Sequence, residues 1–124
     1  MKILIYSLVT ITLIGCSNIT FDGLQYDRYV SLVEESVRLK ELCDEPGFKK
    51  HLEELKTDAN HMQLYASLRS NSPEVLSSTN HLSGMVDELY TKYQTGNPSK
   101  VYCVEKLDMI SAGAKTVAAT LGAQ

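Results

Sequence analysis

Cysteine and histidine side chains are the groups in this chain best suited to chemistry, and the chain has three of each. Neither Cys43 nor Cys103 has another cysteine or a histidine within four positions, so the spacing does not support a metal site. His61 follows Asp58 by one helical turn. That spacing fits a solvated surface pair, and it would suit acid–base catalysis only if both residues lined a deep polar pocket.

No recognisable catalytic motif accompanies these side chains. The adjacent acids Glu34 and Glu35 point to different sides of a helix and cannot form a dyad. No serine lies in a Gly-x-Ser-x-Gly sequence, and no glycine-rich loop precedes a helix to hold a phosphate. The sequence therefore predicts a protein that is not an enzyme and that binds neither a metal nor a small cofactor.

The charge balance argues against a nucleic-acid surface. The chain has 12 basic and 15 acidic side chains, a net charge of −3, and no run of basic residues longer than Lys49-Lys50. Binding to phosphate backbones needs clustered lysine and arginine. The same shortage argues against electrostatic attachment to anionic lipid.

The start of the chain has the character of an export signal. Lys2 precedes a largely apolar run over residues 3–15, and Cys16 ends it. The run is shorter than the roughly 20 residues of a membrane-spanning helix, but it has the length of a secretory signal core. One interpretation is an ordinary signal peptide followed by a chance cysteine.

The last four residues, Leu13-Ile14-Gly15-Cys16, resemble the lipobox of bacterial lipoproteins, including phage-encoded ones. In that family the cysteine is diacylated on sulfur, the peptide before it is removed, and the new amino group is acylated. The resemblance implies that residues 1–15 are a signal peptide and that Cys16 carries a diacylglycerol and an N-acyl chain. It also implies that Ser17, which is not Asp, sends the protein to the periplasmic face of the outer membrane. Display on the cell surface is the alternative.

Beyond the anchor, we expect a tether over residues 16–25 and a helical domain over residues 26–124. Helical periodicity and helix-start signals predict four helices: Gln25–Asp44, Phe48–Arg69, a third from Pro73 to a stop at Gly96, and Ser99–Leu121. Ser72-Pro73 and Asn97-Pro98 are interpreted as the starts of the last two helices. The fold class is therefore all-α, a four-helix bundle.

Apolar residues at alternating steps of four and three mark the core side of each helix. In the second helix they are Phe48, Leu52, Leu55, Ala59, Met62 and Ala66, widened by Tyr65 and Leu68. In the fourth helix they are Cys103, Leu107, Ile110, Ala114, Val117 and Leu121. The first helix has two adjacent rows, Tyr26, Val30, Val33 and Val37 beside Tyr29, Leu32, Leu39 and Cys43, with Glu34, Glu35, Arg38 and Glu41 on the other side. The small residues late in the fourth helix allow either a tight helix pair or a shallow surface groove.

Two cysteines remain once Cys16 is assigned to lipid. In an oxidising compartment an even pair indicates a disulfide, here between Cys43 and Cys103; two free buried thiols are the alternative. We take the end of the first helix and the start of the fourth to lie at opposite ends of an up-down-up-down bundle. The bond is then expected to exclude that order or to require that one helix be displaced.

Seven tyrosines stand against two phenylalanines and no tryptophan. Tyrosine is enriched at protein interfaces because its ring is apolar and its hydroxyl polar. Tyr90, Tyr93 and Tyr102 are therefore predicted to form a partner-binding patch. The alternative is that they lie at core edges, where the hydroxyl reaches water.

These features favour an accessory lipoprotein that holds a protein partner near the outer membrane. The layout is similar to that of the small pilotins of type II secretion, helical lipoproteins with one cysteine late in helix one and another in helix four. That resemblance implies that the partner is a short C-terminal helix of a secretin, held in a groove. The alternatives are a phage-encoded lipoprotein, such as the outer-membrane spanin subunit of host lysis, and an entry- or superinfection-exclusion lipoprotein.

Overall fold

Four long helices make up the part of the chain that the computed structural model describes, residues 22–69 and 72–123. They are α1 (Gly23–Leu39, extended by a single 3-10 turn over Lys40–Leu42), α2 (Phe48–Arg69), α3 (Pro73–Thr95) and α4 (Lys100–Gly122). No strand occurs in these two ranges, and the predicted all-α four-helix bundle is confirmed. The predicted signal peptide, Cys16, Ser17 and the first part of the tether lie outside the described residues.

The first helix begins earlier than predicted, so three residues of the predicted tether are helical. Asp22 caps α1, because its carboxylate accepts a hydrogen bond from the backbone N–H of Gln25 at 3.1 Å. Such a cap satisfies a backbone donor that has no partner within the helix. Gln25 is buried rather than part of a linker.

The start of α3 is confirmed, and α4 begins one residue after the predicted Ser99, but the predicted cap at Asn97 was wrong. Ser72 caps α3 and Pro73 occupies its first turn. Ser99, and not Asn97, caps α4: its backbone is extended and its hydroxyl accepts from the N–H of Tyr102 at 3.1 Å. Residues 96–99 therefore cross from α3 to α4, and Pro98 precedes the cap instead of opening the helix.

This assignment predicts unequal effects of two matched substitutions. Ser99→Ala removes the acceptor for an N-terminal backbone donor and should lower the free energy of unfolding by about 1 kcal/mol. Asn97→Ala should leave it within about 0.5 kcal/mol, as for an exposed loop position. Urea denaturation followed by circular dichroism measures both. Equal losses for the two variants would contradict the cap at Ser99.

The four helices follow the simple up-down-up-down order, and the opposite expectation was wrong. Two antiparallel helices separate the end of α1 from the start of α4, so two reversals return the chain to the same end of the bundle. The Cys43–Cys103 bond lies at that end, with an S–S distance of 2.07 Å. Lys40 of the 3-10 turn also bonds Asp108 of α4 at 2.7 Å. The most extensive packing is between α1 and α4 and between α2 and α3.

The core is formed largely by the predicted rows. Every predicted core residue of the α2 row 48–66 and of the α4 row 103–121 is buried. Of the two rows on α1, the one with Tyr29 and Leu32 is buried, whereas Val37 of the other is 47% exposed. Leu68 was predicted to widen the α2 row, but it is 77% exposed. Two residues turn a helix by about 200°, so Leu68 points away from the core that Ala66 faces.

Candidate functional site

The three tyrosines predicted to bind a partner do not share one surface. Tyr93 is 5% exposed and packs inside the bundle, with its ring centroid 4.8 Å from that of Phe48. Its hydroxyl donates to the carbonyl of Cys43 at 3.5 Å, and burial raises its pKa. Tyr93 therefore supports the disulfide end of the core, and its small exposed part borders a depression of about 360 Å³ beside Phe48 and Pro98.

Tyr90, on α3, and Tyr102, on α4, are both half-buried, but they lie in different seams between helices. The ammonium of Lys56, on α2, lies 4.2 Å from the ring centroid of Tyr90. Tyr102, on α4, has the ammonium groups of Lys92 and Lys106 each 5.9 Å from its ring centroid. Tyr90 thus lies between α2 and α3, and Tyr102 lies between α3 and α4, so one partner helix could not contact both in the same seam. Of these two tyrosines, Tyr102 lines a surface depression.

That depression and a further one lie along the seam between α3 and α4. The first, of about 390 Å³, lies at the disulfide end and is lined by Lys92, Thr95, Gly96, Asn97, Pro98, Ser99 and Tyr102. The second, of about 480 Å³, lies where α3 begins and α4 ends and is lined by Pro73, Glu74, Val75, Ser77, Ser78, Thr116, Val117 and Thr120. We refer to the surface with both as the α3–α4 face.

The small residues of α4 do both things that the sequence allowed: they permit a tight helix pair, and they border a shallow surface groove. A β-carbon on Gly113 would lie 3.3 Å from the Met85 side chain and 3.4 Å from that of Leu82, so α4 approaches α3 closely there. One to two turns further on, Thr116 and Thr120 border the 480 Å³ groove. Short side chains thus create tight packing in mid-helix and a concave surface at its end.

A pair of carboxyl groups lies between α1 and α2, and the sequence did not predict it. Glu35 is half-buried and shares a hydrogen bond with Asp58. Burial, then the charge and hydrogen bond of Asp58, raise the pKa of Glu35 to about 7; Arg38 opposes this rise and Glu54 adds to it. The predicted place of Glu35 on the solvent side is wrong, because Glu35 follows Leu32 by three residues and precedes Leu39 by four, the spacing that marks the core.

The predicted partnership of Asp58 with His61 is replaced by this pair. Both carboxyl groups border a cleft of about 110 Å³, lined by Arg28, Ser31, Leu32, Glu35, Asp58 and Met62. His61 is exposed and does not line it. Ligand pockets usually measure about 300–1,000 Å³, so this cleft is smaller than the usual ligand pocket.

A second polar cluster joins the start of α1 to the end of α2. Asp22 accepts hydrogen bonds from the Tyr65 hydroxyl at 2.6 Å and from the N–H of Gln25, and it lies 3.4 Å from the Arg69 guanidinium. The Tyr65 hydrogen bond is the largest cause of the lowered pKa of Asp22. This cluster fixes the position at which the preceding chain reaches the bundle.

Within residues 22–69 and 72–123, no three His, Cys, Asp or Glu side chains come together as a metal site would require. None of the helices in those same ranges combines the length and hydrophobicity needed to cross a membrane. Neither a protein-family model, nor a curated protein, nor a solved structure matches this chain.

Proposed function

We propose that this protein is an outer-membrane lipoprotein, anchored at the periplasmic face by acyl chains on Cys16, whose helical bundle binds a protein partner. The observation that carries the proposal is the sequence Leu13-Ile14-Gly15-Cys16. The disulfide supports it: Cys43 and Cys103 use two of the three cysteines, and Cys16 remains for acylation. A disulfide-linked domain also suits an oxidising compartment outside the cytoplasm.

The α3–α4 face supports the partner-binding part of the proposal. A concave surface between two helices, bordered by short side chains, can accept the apolar side of a partner helix. Tyr102 at the other end of the face offers an aromatic ring beside two ammonium groups. A short amphipathic helix is therefore the kind of partner that we propose, in an accessory role like that of the pilotins.

The anchor is tested by Cys16→Ser. We expect this variant to move completely from the membrane fraction to the soluble fraction while its circular dichroism is unchanged, because two or more acyl chains provide the stable attachment. In the parent protein, mass spectrometry should find an acylated Cys16 as the first residue. Ser17→Asp is the matched control: it should stay attached but move to the inner membrane. A Cys16→Ser protein that still sediments with membranes in high salt would contradict the anchor.

The partner is tested by crosslinking in intact membranes, affinity capture and mass spectrometry. Ser78→Arg with Thr116→Arg fills the groove of the α3–α4 face and should lower the captured partner about tenfold or more. Thr57→Arg adds a similar side chain on the exposed side of α2 and should change nothing. A captured secretin supports the pilotin-like role, and an inner-membrane lysis subunit supports the spanin alternative. Capture that ignores the groove substitutions would contradict this face as the binding site.

A further inference from the structure

Three strongly exposed leucines lie at one end of the bundle. Leu24 is in the first turn of α1, and Leu64 and Leu68 lie one turn apart on the outward side of α2; they are 57%, 59% and 77% exposed. The contacts of Asp22 with Tyr65 and Arg69 hold these two helix ends side by side. The three side chains therefore belong to one end of the molecule, which we call the leucine end.

Single exposed apolar residues are ordinary, but a group of them at one place indicates a contact surface. The other large apolar side chains that the described residues expose are Val37, Val101 and Met109, and none of them belongs to the leucine end. Leu64 and Leu68 also lie on the side of α2 opposite its core row, so packing within the bundle does not account for them. A surface outside the domain is what can cover these leucines.

The course of the chain indicates which surface that is. From Cys16 to the cap at Asp22 there are six residue steps, which span at most about 20 Å. The 23 residues of α3 give the bundle a length of about 34 Å. Asp22 belongs to the leucine end, so a membrane holding Cys16 lies closer to this end than to the disulfide end.

We infer that the leucine end rests on the phospholipid surface, with Leu24, Leu64 and Leu68 inserted at the boundary between headgroups and acyl chains. This inference rests on the proposed lipid anchor and adds an orientation to it. The acyl chains supply the attachment, and the leucines set the orientation of the bundle relative to the membrane. Apolar side chains at this depth lose their contact with water, while Arg69 beside them can meet a lipid phosphate. The disulfide end and the pocket beside Tyr102 then point away from the membrane.

The absence of tryptophan from the chain provides a site-specific test. The acylated L68W protein is reconstituted into vesicles of phosphatidylethanolamine and phosphatidylglycerol with brominated acyl chains. We expect its emission to shift to shorter wavelength and to be quenched about twofold, because bromine quenches an indole at the depth of the interface. The matched control is V101W, at the disulfide end, whose emission should not change. In the L68W background, L24S with L64S should abolish most of the quenching.

The outcomes separate this inference from the anchor on which it rests. If the protein floats with the vesicles but L68W is not quenched, or if V101W is quenched equally, the orientation is wrong and the anchor stands. If the protein does not float, the anchor fails and the inference fails with it. If the soluble C16S/L68W protein sediments as a dimer with a shielded indole, the leucines bind a second copy of the chain, and the lipid assignment is overturned.

Discussion

Replacing both Cys43 and Cys103 by alanine will lower the free energy of unfolding by about 4 kcal/mol. The bond closes a loop of 60 residues that contains α2 and α3 entirely, and without it the unfolded chain regains the entropy of that loop. Alanine, unlike serine, places no hydroxyl at these two buried positions. The measured loss of stability therefore reports the missing crosslink rather than the cost of burying a polar group. Because a domain of this size has a total of about 5–15 kcal/mol, much of the stability depends on this one bond.

Urea denaturation of the soluble Cys16→Ser domain measures this loss. Reduction of the same domain with dithiothreitol is the control, because it opens the loop without a substitution. The reduced domain and the double alanine variant should unfold at similar urea concentrations. A loss below about 1 kcal/mol in both would mean that the unfolded chain gains little freedom when the bond is removed.

Glu35→Gln will stabilise the domain at pH 8 by about 1–2 kcal/mol and leave it almost unchanged at pH 4. Burial and Asp58 raise the pKa of Glu35 from 4.5 to about 7 in the folded state. A pKa raised by folding contributes stability that is fully present below the unfolded pKa of 4.5 and is lost as pH rises to about 7. The full difference would be about 3 kcal/mol, and we expect less because solvent screens a half-buried carboxylate. Glutamine stays neutral at every pH, and its amide can donate to Asp58.

The pH dependence is measured by urea denaturation in buffers from pH 4 to pH 8 (about one step per pH unit, enough to resolve a single titration). Between the two pKa values the parent domain should lose stability as pH rises, and the Glu35→Gln domain should lose less. Glu34→Gln is the matched control, since it removes the same charge from an exposed position on the same helix. A parent and a Glu35→Gln domain with the same pH dependence would show that the pair with Asp58 does not hold a proton.

The simple bundle order gives the two ends of the molecule different surroundings. The disulfide end joins the end of α1 to the start of α4, and the opposite end receives the chain from Cys16 at Asp22. The crosslink therefore closes the end of the bundle away from the proposed anchor. On the α3–α4 face, the pocket beside Tyr102 lies at the disulfide end, whereas the 480 Å³ groove lies at the end that carries Leu64 and Leu68. A partner in the Tyr102 pocket would be remote from the lipid surface, and a partner in the groove would lie beside it.

The sequence by itself determined the helices, most of the core and the pairing of two cysteines. The α2 residues from Phe48 to Ala66 and the α4 residues from Cys103 to Leu121 repeat at steps of four and three, which keeps one side of each helix apolar. Ser72 followed by Pro73 fixed the start of α3, because a serine acceptor and a preset proline φ favour the first turn. These are local properties of the chain, so they can be predicted without knowing its neighbours.

Only the tertiary structure decided which neighbour each helix side meets. Periodicity gives the direction of a side chain around its own axis, but not what lies in that direction. Glu35 therefore became half-buried against Asp58, Leu68 remained exposed, and Tyr93 entered the core while Tyr102 stayed at the edge of a pocket. The charge environment of Glu35 and the shape of the α3–α4 face arise from pairs of helices together, and no single helix sequence contains them.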